Sequence, residues 1–220
     1  MSRSGRSAVL LLVTAAVVTG CAFQDATVRQ PTRHAIASGS LRGEGRTIAL
    51  ITPFADGRAE DRCGMKKNGY NAAVASVLCD RQPKVMLADV VAGELRAVGF
   101  RVLTDRRQAG SSTIVIAGTL QQLFIEPKLN YFTSVFETDA ALTLSARTAS
   151  GLWAVRTIYV KGEEATVMGS DEDMQLSFDS GVRQLVTAVV GAIANLADRF
   201  PPSVEPMSAA AAISDPPETP

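Results

Sequence analysis

Tyr131-Phe-Thr-Ser-Val-Phe-Glu-Thr-Asp-Ala-Ala-Leu-Thr-Leu-Ser-Ala-Arg-Thr148 is the stretch whose reading decides the fold. Phe132, Phe136, Leu142 and Leu144 share one parity; Thr133, Glu137, Asp139 and Thr143 share the other. A period of two gives a strand with one buried and one wet face. Downstream, Ala149-Ser-Gly151 is a turn signal and Leu152 to Ala165 a second strand, so an antiparallel hairpin is the simplest arrangement. Upstream, Thr113 to Glu126 opens with Thr-Ile-Val-Ile-Ala and is a third long strand.

Two helical patterns flank this core. After Pro83, Leu87, Val91, Leu95 and Val98 recur at helical spacing until Gly99, a natural C-terminal stop. From Ser170-Asp-Glu-Asp173, Ser170 can cap the free N–H groups and the carboxylates suit the positive helix end. Phe178, Val182, Leu185, Val186, Val189, Val190, Ile193, Leu196 and Phe200 then form one apolar stripe. Thr47 to Pro53 reads as a buried strand and Phe100 to Thr104 as a short one; Asp105 to Ser112 is a polar turn. Residues 54 to 82 are irregular, with Tyr70 to Leu78 offering a short helix. The expected fold is α+β: a two-layer sandwich, with a mostly antiparallel sheet of about four to five strands and two amphipathic helices on one face.

That domain occupies residues 47–200. Residues 21–46 lack periodicity and read as a flexible tether, and 201–220, rich in Pro and Ala, as a disordered tail. At the start, Met1-Ser-Arg-Ser-Gly-Arg6 precedes an apolar run from Ala8 to Val18, then Val18-Thr-Gly-Cys21, the succession of an export signal over residues 1–20. Eleven helical residues at about 1.5 Å each cover only about half of a ~30 Å hydrocarbon core, so the run is no stable span.

The last four residues resemble the bacterial lipobox. That resemblance implies that the Cys21 thiol takes a diacylglyceryl group, that the chain is cut before it, and that the new amine is acylated, as with palmitate. The chain is then anchored to a membrane rather than spanning it. Ala22, in place of Asp, agrees with sorting to the inner leaflet of the outer membrane. The bland alternative is a soluble secreted protein in which Cys21 is ordinary.

From Cys21 to Pro220 the 200 residues carry 20 basic and 22 acidic side chains, a balance that argues against a nucleic-acid partner. The single histidine, His34, lies in a Pro-, Ser- and Gly-rich stretch and gives a zinc site or triad little to build on. No cofactor, metal site or catalytic set is expected. Cys63 and Cys79, in an oxidising compartment, are expected to pair. A loop of this size is worth roughly 3 kcal/mol in the chain-entropy model, and a redox pair would more often show Cys-x-x-Cys spacing.

Glu137 and Asp139 share a strand face about 6.5–7 Å apart and are the best enzymatic candidates, though on a wet face such residues mostly solvate the sheet. Residues 38–45 are Gly-rich without the ending of a phosphate loop, and Ser180-Gly181 lacks the context of a nucleophile elbow. Lys66-Lys67-Asn68, beside Tyr70, is either a contact for an acidic headgroup or protein partner or a solvated loop tip.

The lipobox, the passage from strand one into Pro53-Phe-Ala-Asp-Gly-Arg58 with its Asp-x-Arg, the helix-to-strand run Leu95-Arg-Ala-Val-Gly-Phe-Arg-Val102, the three-strand meander and the last helix resemble the YajG-like family of small bacterial lipoproteins over about residues 47 to 199. The resemblance implies an envelope protein without an assigned enzymatic activity and transfers no catalytic residues. The expectation is a non-enzymatic lipoprotein, lipid-anchored with its domain in the periplasm, that binds a protein partner or envelope component. Asp56, Arg58, Lys66 and Lys67 are the candidate contacts. The alternative is an auxiliary subunit of a lipid or lipopolysaccharide transport system, with an apolar groove between sheet and helices. An enzyme ranks third.

Overall fold

The structure, a computed structural model, describes residues 24–31, 43–110, 113–129, 133–148, 151, 153–166 and 169–199. Its nine strands are β1 (Ala26–Val28), β2 (Thr47–Leu50), β3 (Ala55–Asp56), β4 (Gly64–Lys67), β5 (Ala73–Cys79), β6 (Arg101–Leu103), β7 (Ile114–Leu129), β8 (Ser134–Arg147) and β9 (Trp153–Thr166). Among the described residues the two α-helices are α1 (Pro83–Ala97) and α2 (Asp171–Arg199). All nine strands belong to one mixed sheet, which corrects the expected antiparallel sheet of four to five strands. The reason lies in β7. One of its edges pairs antiparallel with β8 along the whole length, and β8 pairs likewise with β9. The other edge, 16 residues long, is filled in parallel by three short strands in turn: β2 at Ile114–Ile116, β3 at Thr119–Leu120 and β4 at Ile125. Beyond these lie β6, parallel to β2, and β5, antiparallel to β4, with β1 parallel to β5 at the end.

The meander matches the alternation in its sequence, with one added device. Register shifts between Leu120 and Gln122, so Gln121 is bulged out. A bulge inserts one residue and lets the strand keep its face. Ile114, Ile116 and Leu120 are therefore buried before it, and Leu123 and Ile125 after it. Along this inner face runs α2. Its 29 residues give a length of about 43 Å, close to the roughly 47 Å of the 14-residue β8. Met174, Phe178, Val182, Leu185, Val189 and Ile193 are among its buried positions, so a helix long and apolar enough by composition to cross a membrane is here the cover of a sheet. It touches the sheet most closely where glycines meet: a Cβ on Gly162 would collide with the backbone of Gly181, and one on Gly181 would lie 2.8 Å from Thr138 Cγ2. At that crossing the buried Ser177 hydroxyl donates to the Phe136 carbonyl at 2.9 Å and lies 2.8 Å from the Thr138 hydroxyl.

Ser170 starts α2 as a capping box: the Asp173 amide donates to Ser170 Oγ, and the Ser170 amide donates to Asp173 Oδ2 at 2.7 Å. The Ser170 amide, together with the Ser170 hydroxyl that donates to Oδ2 at 2.8 Å, holds the Asp173 carboxyl below its usual range. Pro83 begins α1, and Gly99, at φ +92°, ends it. Leu87, Val91 and Leu95 bury against the same core as α2.

Two further expectations are corrected. Tyr70 to Leu78 contributes most of β5 rather than a helix, because strand pairing on both sides, to β4 and β1, outweighs the local helical preference of an Ala-rich run. Within the stretch read as flexible tether, Ala26–Val28 is a strand with Ala26 and Val28 buried. Three residues are too few to show periodicity.

Candidate functional site

One pole of the molecule gathers the features singled out in the sequence: the end of β7, the start of α2 and the β4–β5 hairpin. Cys63, fully buried, and Cys79, half-buried, form a disulfide with Cα atoms 5.6 Å apart. Around it the ladder is tight. The Cys63 amide donates to the Val77 carbonyl and the Ile125 amide to the Cys63 carbonyl, both at 2.8 Å. Gly64 lies so close to Ile125 that a Cβ would strike its backbone.

Asp56 and Arg58 are brought together as an ion pair, with Nε to Oδ1 at 3.0 Å and a second guanidinium nitrogen to Oδ2 at 3.1 Å. The Arg58 guanidinium holds the Asp56 carboxyl below the usual range. Only 7% of the Arg58 side chain is exposed; it also donates to the Asp61 carbonyl at 3.4 Å and so braces the approach to Cys63. Lys66 reaches over the inner side to Asp171 at the start of α2, at 2.8 Å. Lys67 pairs with Glu126, which also pairs with Lys128 at 3.0 Å. Those two ammonium groups, Lys67 first, hold the Glu126 carboxyl below its usual range. Lys66 and Lys67 are thus taken up in pairs that join β4 to α2 and β7, while Asp56 and Arg58 pair with each other beside β3. Sequence reasoning missed the neighbour that stays free of packing: Tyr70, at the hairpin tip, is 94% exposed.

The first described residues join this pole. β1 pairs with β5 through Ala26 beside Val77 and Val28 beside Cys79. The Ser76 amide donates to Asp25 Oδ1 at 2.7 Å, and Gln175 of α2 makes two hydrogen bonds with the Arg29 backbone. Cys21 and His34 lie outside the described residues.

The outer face of the meander holds the carboxylates considered for chemistry. Glu137 pairs with Lys161 at 2.9 Å, and Asp139 accepts a hydrogen bond from the Tyr159 hydroxyl, which raises the Tyr159 pKa. Glu126, Glu137 and Glu163 stand directly opposite one another across three strands; Lys67 and Lys128 pair with Glu126 and Lys161 with Glu137. The cross-strand pairs Lys67–Glu126 and Lys161–Glu137 offset the repulsion of the aligned carboxylates and help to hold register. Among the described residues no group of three His, Cys, Asp or Glu side chains is placed to hold a metal. Val155 and Tyr159 are the large apolar side chains this face leaves more than half exposed.

Comparison with known proteins gives the family. No curated protein matches the sequence. Among solved structures, protein XCC0632 from Xanthomonas campestris superposes with a TM-score of 0.59 at 14% identity, over 79% of this chain and 98% of that one, a likeness of fold alone. A minor lipoprotein from Acinetobacter baumannii is 12% identical over 72% of this chain and 98% of its own, with a TM-score of 0.41. Lipoprotein GNA1162 from Neisseria meningitidis is 14% identical over 68% and 98%, at 0.32. The profile of the uncharacterized lipoproteins Lipoprotein_16 matches residues 40–192, most of the chain. The chain therefore belongs to the Lipoprotein_16, or YajG, family of uncharacterized lipoproteins of the bacterial envelope.

Proposed function

We propose that the protein is a non-enzymatic lipoprotein, acylated on Cys21 and held at the inner leaflet of the outer membrane, whose periplasmic domain binds an envelope protein. The observation that carries the anchor is the sequence Val18-Thr-Gly-Cys21 behind a short apolar run, in a chain whose family is one of lipoproteins. Supporting the binding role, the carboxylates best suited to chemistry, Glu137 and Asp139, are each engaged by a neighbour on an open face. The surface we assign to the partner is that outer face of β8 and β9, where Val155 and Tyr159 are 57% and 56% exposed, rather than Asp56, Arg58, Lys66 and Lys67, which are committed to internal pairs. Aromatic side chains in such positions are the usual anchors of interfaces.

The layer between sheet and helices is filled by Ile116, Leu120, Leu142, Phe178 and Val189, all at or near zero exposure, so no observation favours an acyl-binding groove. The test is fractionation with site-specific photocrosslinking from position 159. The account expects the wild-type chain in the outer-membrane fraction, Cys21→Ser displaced from it, and one discrete crosslinked protein that vanishes when Val155→Asp is added. A membrane-independent distribution, or crosslinking that ignores Val155→Asp, removes the anchor or the partner surface respectively.

A further inference from the structure

We infer that the tip of the β4–β5 hairpin, Asn68 to Ala72 with Tyr70 at its apex, is the surface on which the domain rests against the bilayer, an inference that builds on the lipid-anchor reading of Cys21. The first observation is the direction of the chain. Because β1 runs parallel to β5, with Ala26 beside Val77 and Asp25 bound to Ser76, the chain arrives at β1 from the side of the hairpin tip. The second is length. Cys21 precedes Ala26 by five residues, which fully extended span at most about 17 Å. From Val77 back to Ala73 at the base of the tip is about 13 Å of strand. An acyl group on Cys21 therefore holds the tip's end of the molecule, and not its far end, at the membrane surface. What reads in sequence as a tether of some 25 residues is a short leash, since β1 is locked into the sheet.

The third observation is the tip itself. Asn68 Oδ1 accepts from the amides of Tyr70 and Ala72, both at 3.0 Å; the Asn68 amide donates to the Ala72 carbonyl; and Asn71 sits in the left-handed region at φ +63°. The disulfide closes the hairpin at its other end. A rigid loop thus holds a tyrosine ring almost wholly in solvent. From Asn68 to Leu78 there is no charged residue, and Lys66 and Lys67 behind the tip are already paired. An uncharged tip with an amphipathic ring suits the headgroup level of a bilayer, where tyrosine concentrates, and calls for no anionic lipid.

The test places a nitroxide label at Tyr70→Cys in the full-length acylated protein, reconstituted in phosphatidylethanolamine vesicles with a minority of phosphatidylglycerol. Cys63 and Cys79 are bonded to each other and Cys21 is alkylated, so the new thiol is the one labelled. Val155→Cys is the reference; through Ser145 and Ala117 it sits about 25 Å of strand from the level of Gly64. The proposal expects the ratio of collisions with oxygen to those with a polar nickel reagent to be several-fold higher at 70 than at 155, and unchanged when phosphatidylglycerol is omitted. Equal ratios in a sample whose intact mass shows the acyl chains overturn the proposal and leave the anchor standing; an unacylated chain overturns both. Both substituted side chains are exposed, so neither change disturbs the core.

Discussion

Two regions of this sheet are held by different means. The meander β7–β9 under α2 is a hydrophobic assembly: long strands, one continuous apolar face, and a helix of matching length. The region formed by β1, β3, β4 and β5 is built of strands two to seven residues long and fixed by a disulfide and ion pairs: Cys63–Cys79, Asp56–Arg58, Lys66–Asp171 and Lys67–Glu126. Burial tolerates salt and acid, whereas pairs and crosslinks respond to reductant and pH. The difference places the chemically sensitive region at the pole where β1 joins the sheet.

The largest effect expected is in the meander. Phe178 is fully buried, so Phe178→Ala should cost about 3–5 kcal/mol and lower the urea midpoint of the whole domain. Next, replacing both Cys63 and Cys79 by Ala should cost roughly 3 kcal/mol in the chain-entropy model. Hydrogen exchange should show the loss in β1, β4 and β5 first, while β8 and β9 stay protected; equal loss everywhere would erase the distinction between the regions. Ser170→Ala removes the helix cap and should cost about 1 kcal/mol, read as a lower thermal midpoint that Ser170→Asn largely restores.

The smallest effect is acid. Asp56 and Glu126 have lowered pKa values in the fold, from Arg58 and from Lys67 with Lys128. Their contribution is therefore present above the ordinary carboxylate range near pH ~4 and is lost as pH falls through the folded values. Partly exposed pairs of this kind contribute up to about 1 kcal/mol each. Acid titration followed by amide exchange should loosen β3 and β4 before the meander, and Asp56→Asn should remove its share of that slope.

Legibility in the sequence followed the same division. Alternation over 14 residues in β8, and the stripe from Phe178 to Ile193, are written in residue types, because each position sees the same layer. The bulge also left a mark: the apolar positions change parity between Leu120 and Leu123. The short strands left none. Ala73 to Cys79 contains four residues with a local preference for helix or none, and becomes strand only through its pairing with β4 across the hairpin and with β1, distant in sequence. Site residues followed suit. Cys63 and Cys79 were legible as a pair from compartment chemistry, and Asp56 with Arg58 lie two residues apart, whereas the role of Lys66 depends on Asp171, a contact that only the assembled fold creates.

The measurement that bears most directly on the account is the intact mass of the protein extracted from membranes, beside a Cys21→Ser chain. The account predicts a wild-type mass that lacks residues 1–20 and gains a diacylglyceryl group plus an amide-linked acyl chain, and a Cys21→Ser product with no acyl mass. A wild-type chain that begins elsewhere, or begins at Cys21 with a free thiol, would contradict it.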